Sequence, residues 1–409
     1  MKYTLILLAA TLLACSPGKK ITQQSDLNTY HAAQDLCHRY IITDTHIDLP
    51  EWLEDRHFDP DTSDPSIFLE NNGDLDYQRA VQGGLSAPFM SIYIPSSYQE
   101  KGKDPKGYAE HLIEMVEGMI KAYPDTFAPG LSPEMIESNF NKGLISLPMG
   151  MENGAPLHQL DDVNEFYARG IRYVTLTHAT DNHICDSSYD TTGTWNGLSP
   201  FGRDIIRRMN EVGMIIDISH VTDQTFYQVM ELSKAPVLAT HSSCRYFTPG
   251  WQRNMSDDMI RTLAAHDGVI QINFGSNFLD SAVVEQRRQR EADWQKELQK
   301  SGLKSGDPAI EGLMEKFNKK HPEVFSDVIR VADHIDHVRD IAGIDHVGIG
   351  SDFDGVGNTL PTGLKDVSMY PNLIAELLRR DYSEEDIAKI CYKNTWRVWN
   401  KVNAIATVK

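Results

Sequence analysis

A chain of 409 residues accommodates one large domain or two ordinary ones, and its 41% hydrophobic and 24% charged content excludes a disordered or fibrous protein. The formal charge of −19 argues against a nucleic-acid partner, because a phosphate-binding surface needs clustered Lys and Arg. An acidic balance favours solubility and leaves the fold open.

The first residues read as an export signal. Met1, Lys2 and Tyr3 give a short basic start, and residues 4–14 form an almost unbroken apolar run. That run is about half of the ~20 residues a membrane span needs, yet it suits the core of a signal peptide. It ends in Leu12-Leu13-Ala14-Cys15, followed by Ser16-Pro17-Gly18-Lys19-Lys20. The junction resembles a bacterial lipobox, in which Cys15 is lipidated and becomes the first mature residue. This predicts an exported lipoprotein anchored to a membrane of the bacterial cell envelope, with residues 15–28 as a polar tether. A cleaved signal with an incidental cysteine is the alternative. Loss of Lys2 with the signal takes the formal charge from −19 to −20. Cys37, Cys185, Cys244 and Cys391 then permit two disulfides in pairings that sequence does not rank. None shows C-x-x-C spacing, which argues against a thiolate zinc site.

From 29 to 409 no linker, composition shift or repeat divides the chain, so a single domain is expected. Short apolar runs occupy 40–47, 88–94, 144–151, 171–177, 214–219, 236–240, 268–274 and 346–350. Continuous runs of this kind suit strands buried on both faces of a parallel sheet. Pro148 weakens the third as a central strand. Between the runs lie helical patterns such as 107–123, 201–211, 224–232 and 257–266, and Gly170, Gly213, Gly268 and Gly343 fall just before strands, where a helix ends. Eight strands alternating with helices predict a (β/α)8 TIM-like barrel with loop insertions. Residues 281–325 break the rhythm with a long, charged, helical pattern and read as a solvated insertion.

Six of these strands run into residues of the metal-binding kind: Thr45-His46-Ile47-Asp48, Gly150-Met151-Glu152, Thr177-His178, Ser219-His220, Thr240-His241 and Ser351-Asp352. One strand-end histidine is weak evidence. In a parallel barrel, however, all carboxyl ends open on one face, so the whole set converges on one mouth. Burying that many ionisable groups together is costly without compensation, and a divalent metal supplies it. In His46-x-Asp48, positions i and i+2 point to the same side of an extended strand, which lets both reach one ion.

On these residues the chain resembles the membrane (renal) dipeptidases, a branch of the metal-dependent hydrolase barrels, from about residue 38 to 400 outside the insertion. The carriers are Asp44-Thr45-His46-Ile47-Asp48, Gly150-Met151-Glu152-Asn153-Gly154, Leu176-Thr177-His178, Asp217-Ile218-Ser219-His220, His241-Ser242-Ser243, Arg253-Asn254 and Gly350-Ser351-Asp352-Phe353-Asp354-Gly355, with a C-terminal helical segment at 370–380. The resemblance implies two zinc ions per chain, one held by His46 and Asp48, the other by His220 and His241, with Glu152 bridging both. Charge balance is consistent with a bridging hydroxide, since two zinc ions meet only the charges of Asp48 and Glu152. Asp352 matches the family's catalytic carboxylate, His178 a residue that stabilises the oxyanion, and Arg253 one that grips the substrate's free carboxylate. Asp354 reads as a supporting or structural carboxylate. The implied substrate is a dipeptide, with tolerance for a D-residue at the carboxyl side, and family members often form homodimers.

Two regions depart from the family pattern. Strand seven continues Asn273-Phe274-Gly275-Ser276 without the usual aromatic, and the 179–199 loop carries His183 and Cys185 without an assigned role. Two alternative readings remain: a binuclear amidohydrolase acting on cyclic amides or N-acyl amino acids, and a non-catalytic lipoprotein that captures peptide or metal. Against the first, no strand-four lysine is placed to become a carbamylated bridge. Against the second stands Asp352 beside a full ligand set.

Overall fold

The computed structural model describes residues 23–408 apart from Pro60 and Ser305; the signal segment and Cys15 lie outside the described residues. Ten strands follow in chain order: β1 (Ile42–Ile47), β2 (Leu85–Tyr93), β3 (Phe127–Pro129), β4 (Ile145–Leu147), β5 (Met149–Glu152), β6 (Ile171–Thr175), β7 (Ile215–Asp217), β8 (Leu238–Ser242), β9 (Val269–Ile272) and β10 (Val347–Ile349). Eight of them form one sheet in the order β1-β2-β5-β6-β7-β8-β9-β10. Every pairing along it is parallel. Past its end, β10 returns to β1: Asp352 N donates to His46 O at 3.0 Å and Asp48 N to Phe353 O at 2.9 Å. The result is a nearly closed (β/α)8 barrel.

The continuous apolar runs are explained by burial on both faces: every residue of β1, β5, β6, β8 and β9 is buried. Helices cover the outside, and polar side chains start them. Ser199 Oγ accepts from Gly202 N ahead of Pro200–Val212, Thr222 caps Asp223–Leu232, and Ser256 caps Asp257–Ala265. Each such cap satisfies a backbone N–H that the helix cannot, a contribution of about 1 kcal/mol.

Two features differ from the sequence expectation. The third run is two strands, not one. Pro148 has no N–H for the ladder, so the chain breaks there: β4 pairs with β3 in a small side sheet, while β5 alone enters the barrel. The 15–28 stretch expected as tether overlaps a helix, Gln23–Arg39, which packs Ala33, Leu36 and Cys37 into the core. The four cysteines are buried and free. The insertion holds two helices, Ser281–Ser301 and Ala309–Lys320, which meet through Trp294 and Phe317 with ring centroids 5.3 Å apart.

One buried group ties stability to pH. His334 Nδ1 accepts from Cys244 N, and its Nε2 donates to Leu279 O, both at 3.0 Å. Only the neutral ring meets both partners, and burial pushes its pKa down to about 3. The unfolded chain, with an ordinary histidine near 6.5, therefore binds one more proton between about pH 3 and 6.5. Unfolding free energy is expected to fall as pH drops through that window. The contribution of this residue is up to about 1.4 kcal/mol per pH unit. Denaturant titrations across the window check it: His334→Gln should flatten the slope, and an unchanged slope would acquit the ring.

Candidate active site

The carboxyl ends of the barrel strands deliver their polar residues to one point. His46 lies near the end of β1 with Asp48 just beyond the strand, Glu152 closes β5, His220 follows β7, His241 lies in β8 and Asp352 follows β10. None of the six is more than 8% exposed. Glu152 sits between the imidazoles. Its Oε1 is 3.1 Å from His220 Nε2 and 3.2 Å from His241 Nε2, while Oε2 is 3.4 Å from His46 Nε2. Asp48 Oδ2 lies 3.5 Å from the same His46 nitrogen. The five residues expected as ligands thus meet around one centre, joined by His178 with Nε2 3.8 Å from Glu152 Oε1.

This donor set fits a metal. Among the described residues, buried His46 Nε2 and Asp48 Oδ1 have no hydrogen-bond partner, and the Nε2 atoms of His220 and His241 face each other at 2.8 Å. Unpartnered imidazole nitrogen and carboxylate oxygen are costly to bury and are what a borderline divalent ion accepts. Ligand atoms of His46, Glu152 and His241, of Glu152, His178 and His220, and of His46, Asp48 and Asp352 lie within 4.8 Å of one another.

The electrostatics favour the metal-competent forms of His220, His241 and Glu152. Burial, with Arg253 and His178 adding to it, holds His220 well below the usual imidazole pKa; burial and His46 do the same for His241. Both rings are neutral and keep a lone pair. Burial opposes a charged Glu152, but the surrounding imidazoles, His46 and His178 first, outweigh it and hold the carboxyl well below its ordinary range. Asp352 goes the other way: burial, then the charge of Asp48, pushes it up to about 8. Two carboxylates driven apart in this way suit different tasks.

Residues behind the centre orient it. His46 Nδ1 lies 2.8 Å from Tyr173 Oη. Gly150 makes room for that ring, since a Cβ there would stand 1.9 Å from Tyr173 Cζ. Thr240 Oγ1 donates to Asp217 Oδ2 at 2.7 Å and lies 2.8 Å from His241 Nδ1, so it accepts the ring proton and turns Nε2 toward the centre. Asp44 Oδ1 accepts from His46 N and Ser351 N, fastening β1 to the loop that carries Asp352. Gly355 also matters sterically: a Cβ would fall 2.1 Å from Asp48 Oδ2 and 2.5 Å from Asp352 Oδ1. His220 and Asp352 both adopt left-handed backbone, at φ 69° and 64°. Such conformations cost about 1–3 kcal/mol in non-glycine residues and cluster at sites where geometry matters more than relaxation.

A cavity of about 500 Å³ opens beside the cluster, walled by Asp48, Glu152, His178, His220 and Asp352 among others. Arg253 is buried rather than on a surface loop. Its guanidinium donates to His241 O at 2.7 Å and Ser242 Oγ at 2.8 Å, lies 3.1 Å from His220 Nε2, and stands over the Phe278 ring. Asp354 is engaged by Asp74 instead, the backbone N–H of each donating to the carboxylate of the other. Sequence reasoning missed Glu51, Tyr93 and Tyr189, which line the cavity, and Asn273, whose Nδ2 donates to Asp352 Oδ2 at 2.6 Å. Glu51 was within reach of a local argument, lying one helical turn after Asp48. Burial, with Asp48 and Glu152 close by, pushes its carboxyl up to about 9.

The sequence profile of the membrane dipeptidases, peptidase family M19, matches residues 30–409. The chain belongs to this family. It is similar to an uncharacterised dipeptidase of Schizosaccharomyces pombe, 32% identical over 376 residues that cover 88% of this chain and 80% of the relative. Among solved structures it resembles one described as the probable dipeptidase PvdM of Pseudomonas aeruginosa, at 27% identity and TM-score 0.76, with 93% of this chain and 100% of the other covered. It shares its fold with a metallopeptidase from Rhodobacter sphaeroides liganded with a phosphinate mimic of the dipeptide L-Ala-D-Ala, at 23% identity and TM-score 0.70, covering 89% and 99%. The cluster around Glu152 therefore belongs to a metal-dependent M19 dipeptidase, a hydrolase.

Proposed function

We propose that the dipeptidase works with two zinc ions per chain, His46 and Asp48 holding one, His220 and His241 the other, and Glu152 bridging them. What carries this reading is the way Glu152 divides its oxygens, Oε1 toward His220 and His241 and Oε2 toward His46. When bound, zinc lowers the pKa of water to about 7, so that it supplies a hydroxide nucleophile, and it polarises the scissile carbonyl.

The chain's own groups then divide the remaining work. Asn273 occupies Asp352 Oδ2, which leaves Oδ1 to take the proton of the attacking water and return it to the departing amine. His178, on the cavity wall, faces the negative charge that develops on the carbonyl oxygen. Arg253 binds the carboxylate of the substrate with a guanidinium whose Nε has no partner among the described residues. The substrate is a dipeptide with both termini free, and a D-residue at the carboxyl side is accepted; the Rhodobacter enzyme's L-Ala-D-Ala mimic favours the same reading.

Metal analysis paired with a substrate panel tests this. The expected result is two equivalents of zinc and turnover of L,L and L,D dipeptides, with N-acyl amino acids and hydantoins left intact. A preference for those amides would shift the reading to the amidohydrolase alternative, and full zinc without turnover would shift it to peptide capture. Cys15, as a lipidated first residue, anchors the enzyme to the cell envelope. Cys15→Ser is expected to move activity from the membrane fraction to the soluble one, and continued retention would remove the anchor.

A further inference from the structure

The acids and bases that line the cavity are four carboxyl groups, Asp48, Glu51, Glu152 and Asp352, two histidines, His178 and His220, and the phenols of Tyr93 and Tyr189; no lysine or arginine is among them. Three of the acids are accounted for. Asp48 and Glu152 face the metal centre, and Asp352 is held by Asn273. Glu51 is left over. It stands in the first turn of the short helix Leu49–Glu54, and among the described residues its carboxylate has neither a hydrogen-bond donor nor a cation as partner. A half-buried carboxyl in the company of three others keeps its proton unless something positive joins it, and a cation seated against it would stabilise the charged form.

Its position in the barrel says what joins it. In the strand order β1-β2-β5-β6-β7-β8-β9-β10, β7 lies diametrically across from β1. Glu51 follows β1. Arg253 touches His220 beyond β7 and His241 in β8. Glu51 and Arg253, neither of which has an ion-pair partner among the described residues, therefore stand at strands on opposite sides of the barrel. A dipeptide is a zwitterion whose scissile carbonyl lies between its ammonium and its carboxylate. With the carboxylate at Arg253, the amino-terminal residue extends toward Glu51.

We propose that Glu51 is a specificity-determining residue that receives a cationic group of the substrate's amino-terminal residue, an ammonium or guanidinium. This rests on the dipeptidase reading above. The cation has two sources, the free α-amino group or a lysine or arginine side chain.

The test uses the zinc-loaded enzyme and its Glu51→Gln variant on Ala-Ala, Lys-Ala and N-acetyl-Ala-Ala, with metal content measured alongside. The variant is expected to keep its zinc and most of its kcat while KM rises at least about ten-fold, the loss of one charge-assisted hydrogen bond. Equal losses on Ala-Ala and Lys-Ala, with weaker discrimination against the acetylated substrate, assign the α-ammonium. A loss confined to Lys-Ala assigns the side chain. Unchanged KM on both free dipeptides overturns the proposal and leaves the dipeptidase reading intact, whereas a wild-type enzyme that cleaves neither sinks both. Recovery of KM in Glu51→Asp would distinguish recognition of charge from a structural effect on the helix.

Discussion

Replacing Glu152 with Gln is expected to reduce metal affinity by roughly 10²- to 10³-fold and to carry the dipeptidase rate down with it. The substitution keeps the side chain's shape and removes its charge. Three imidazole nitrogens lie within 3.4 Å of the two carboxylate oxygens, and all are buried. Taking one partner out of a buried charged set costs about 3–5 kcal/mol, because the remaining charge cannot return to water. A glutamine also presents an N–H on one side, where a second acceptor oxygen is needed. Metal content after dialysis and kcat/KM in excess metal are the two measurements. Full occupancy with normal turnover would refute the bridging role.

Asp352→Asn is expected to separate the two properties that Glu152→Gln loses together. Metal content should stay near wild type while kcat falls about 10²- to 10⁴-fold, the range of a lost general acid–base group. The fold should tolerate the change. Asparagine is at home in left-handed backbone, and residue 352 has φ 64°. Its amide oxygen can still accept from Asn273 Nδ2, the bond now made by Oδ2 at 2.6 Å. What is lost is a proton that can leave and return. The pH dependence of kcat should lose the limb belonging to this carboxyl, and a variant with near-normal kcat would remove Asp352 from proton transfer.

The clustering of these side chains was legible before any coordinates because it depends on two local regularities. Apolar runs mark strands buried on both faces, and a polar residue ending such a run must sit at the strand's carboxyl end. Parallel strands share one direction, so His46, Glu152, His220 and His241 had to open on the same face once eight strands were recognised. Elsewhere local rules reached their limit. Pro148 flagged a weak strand but not that β4 leaves for a separate sheet, since that choice depends on the partner β3 offers. Polarity suggested a tether over 15–28, but 23–28 begins a helix that Ala33, Leu36 and Cys37, further along it, fasten to the core.

By itself the sequence determined the barrel, the residues gathered at its mouth and the family to which the chain belongs. Only the tertiary structure decided which oxygen of Glu152 faces which histidine, that Tyr173 reaches His46 across 127 residues of chain, and that Glu51 lines the cavity without a partner among the described residues. The physical reason is that periodicity reports whether a side chain is buried. Its neighbour is set by strand register and barrel closure, which arise from packing among residues far apart in the chain.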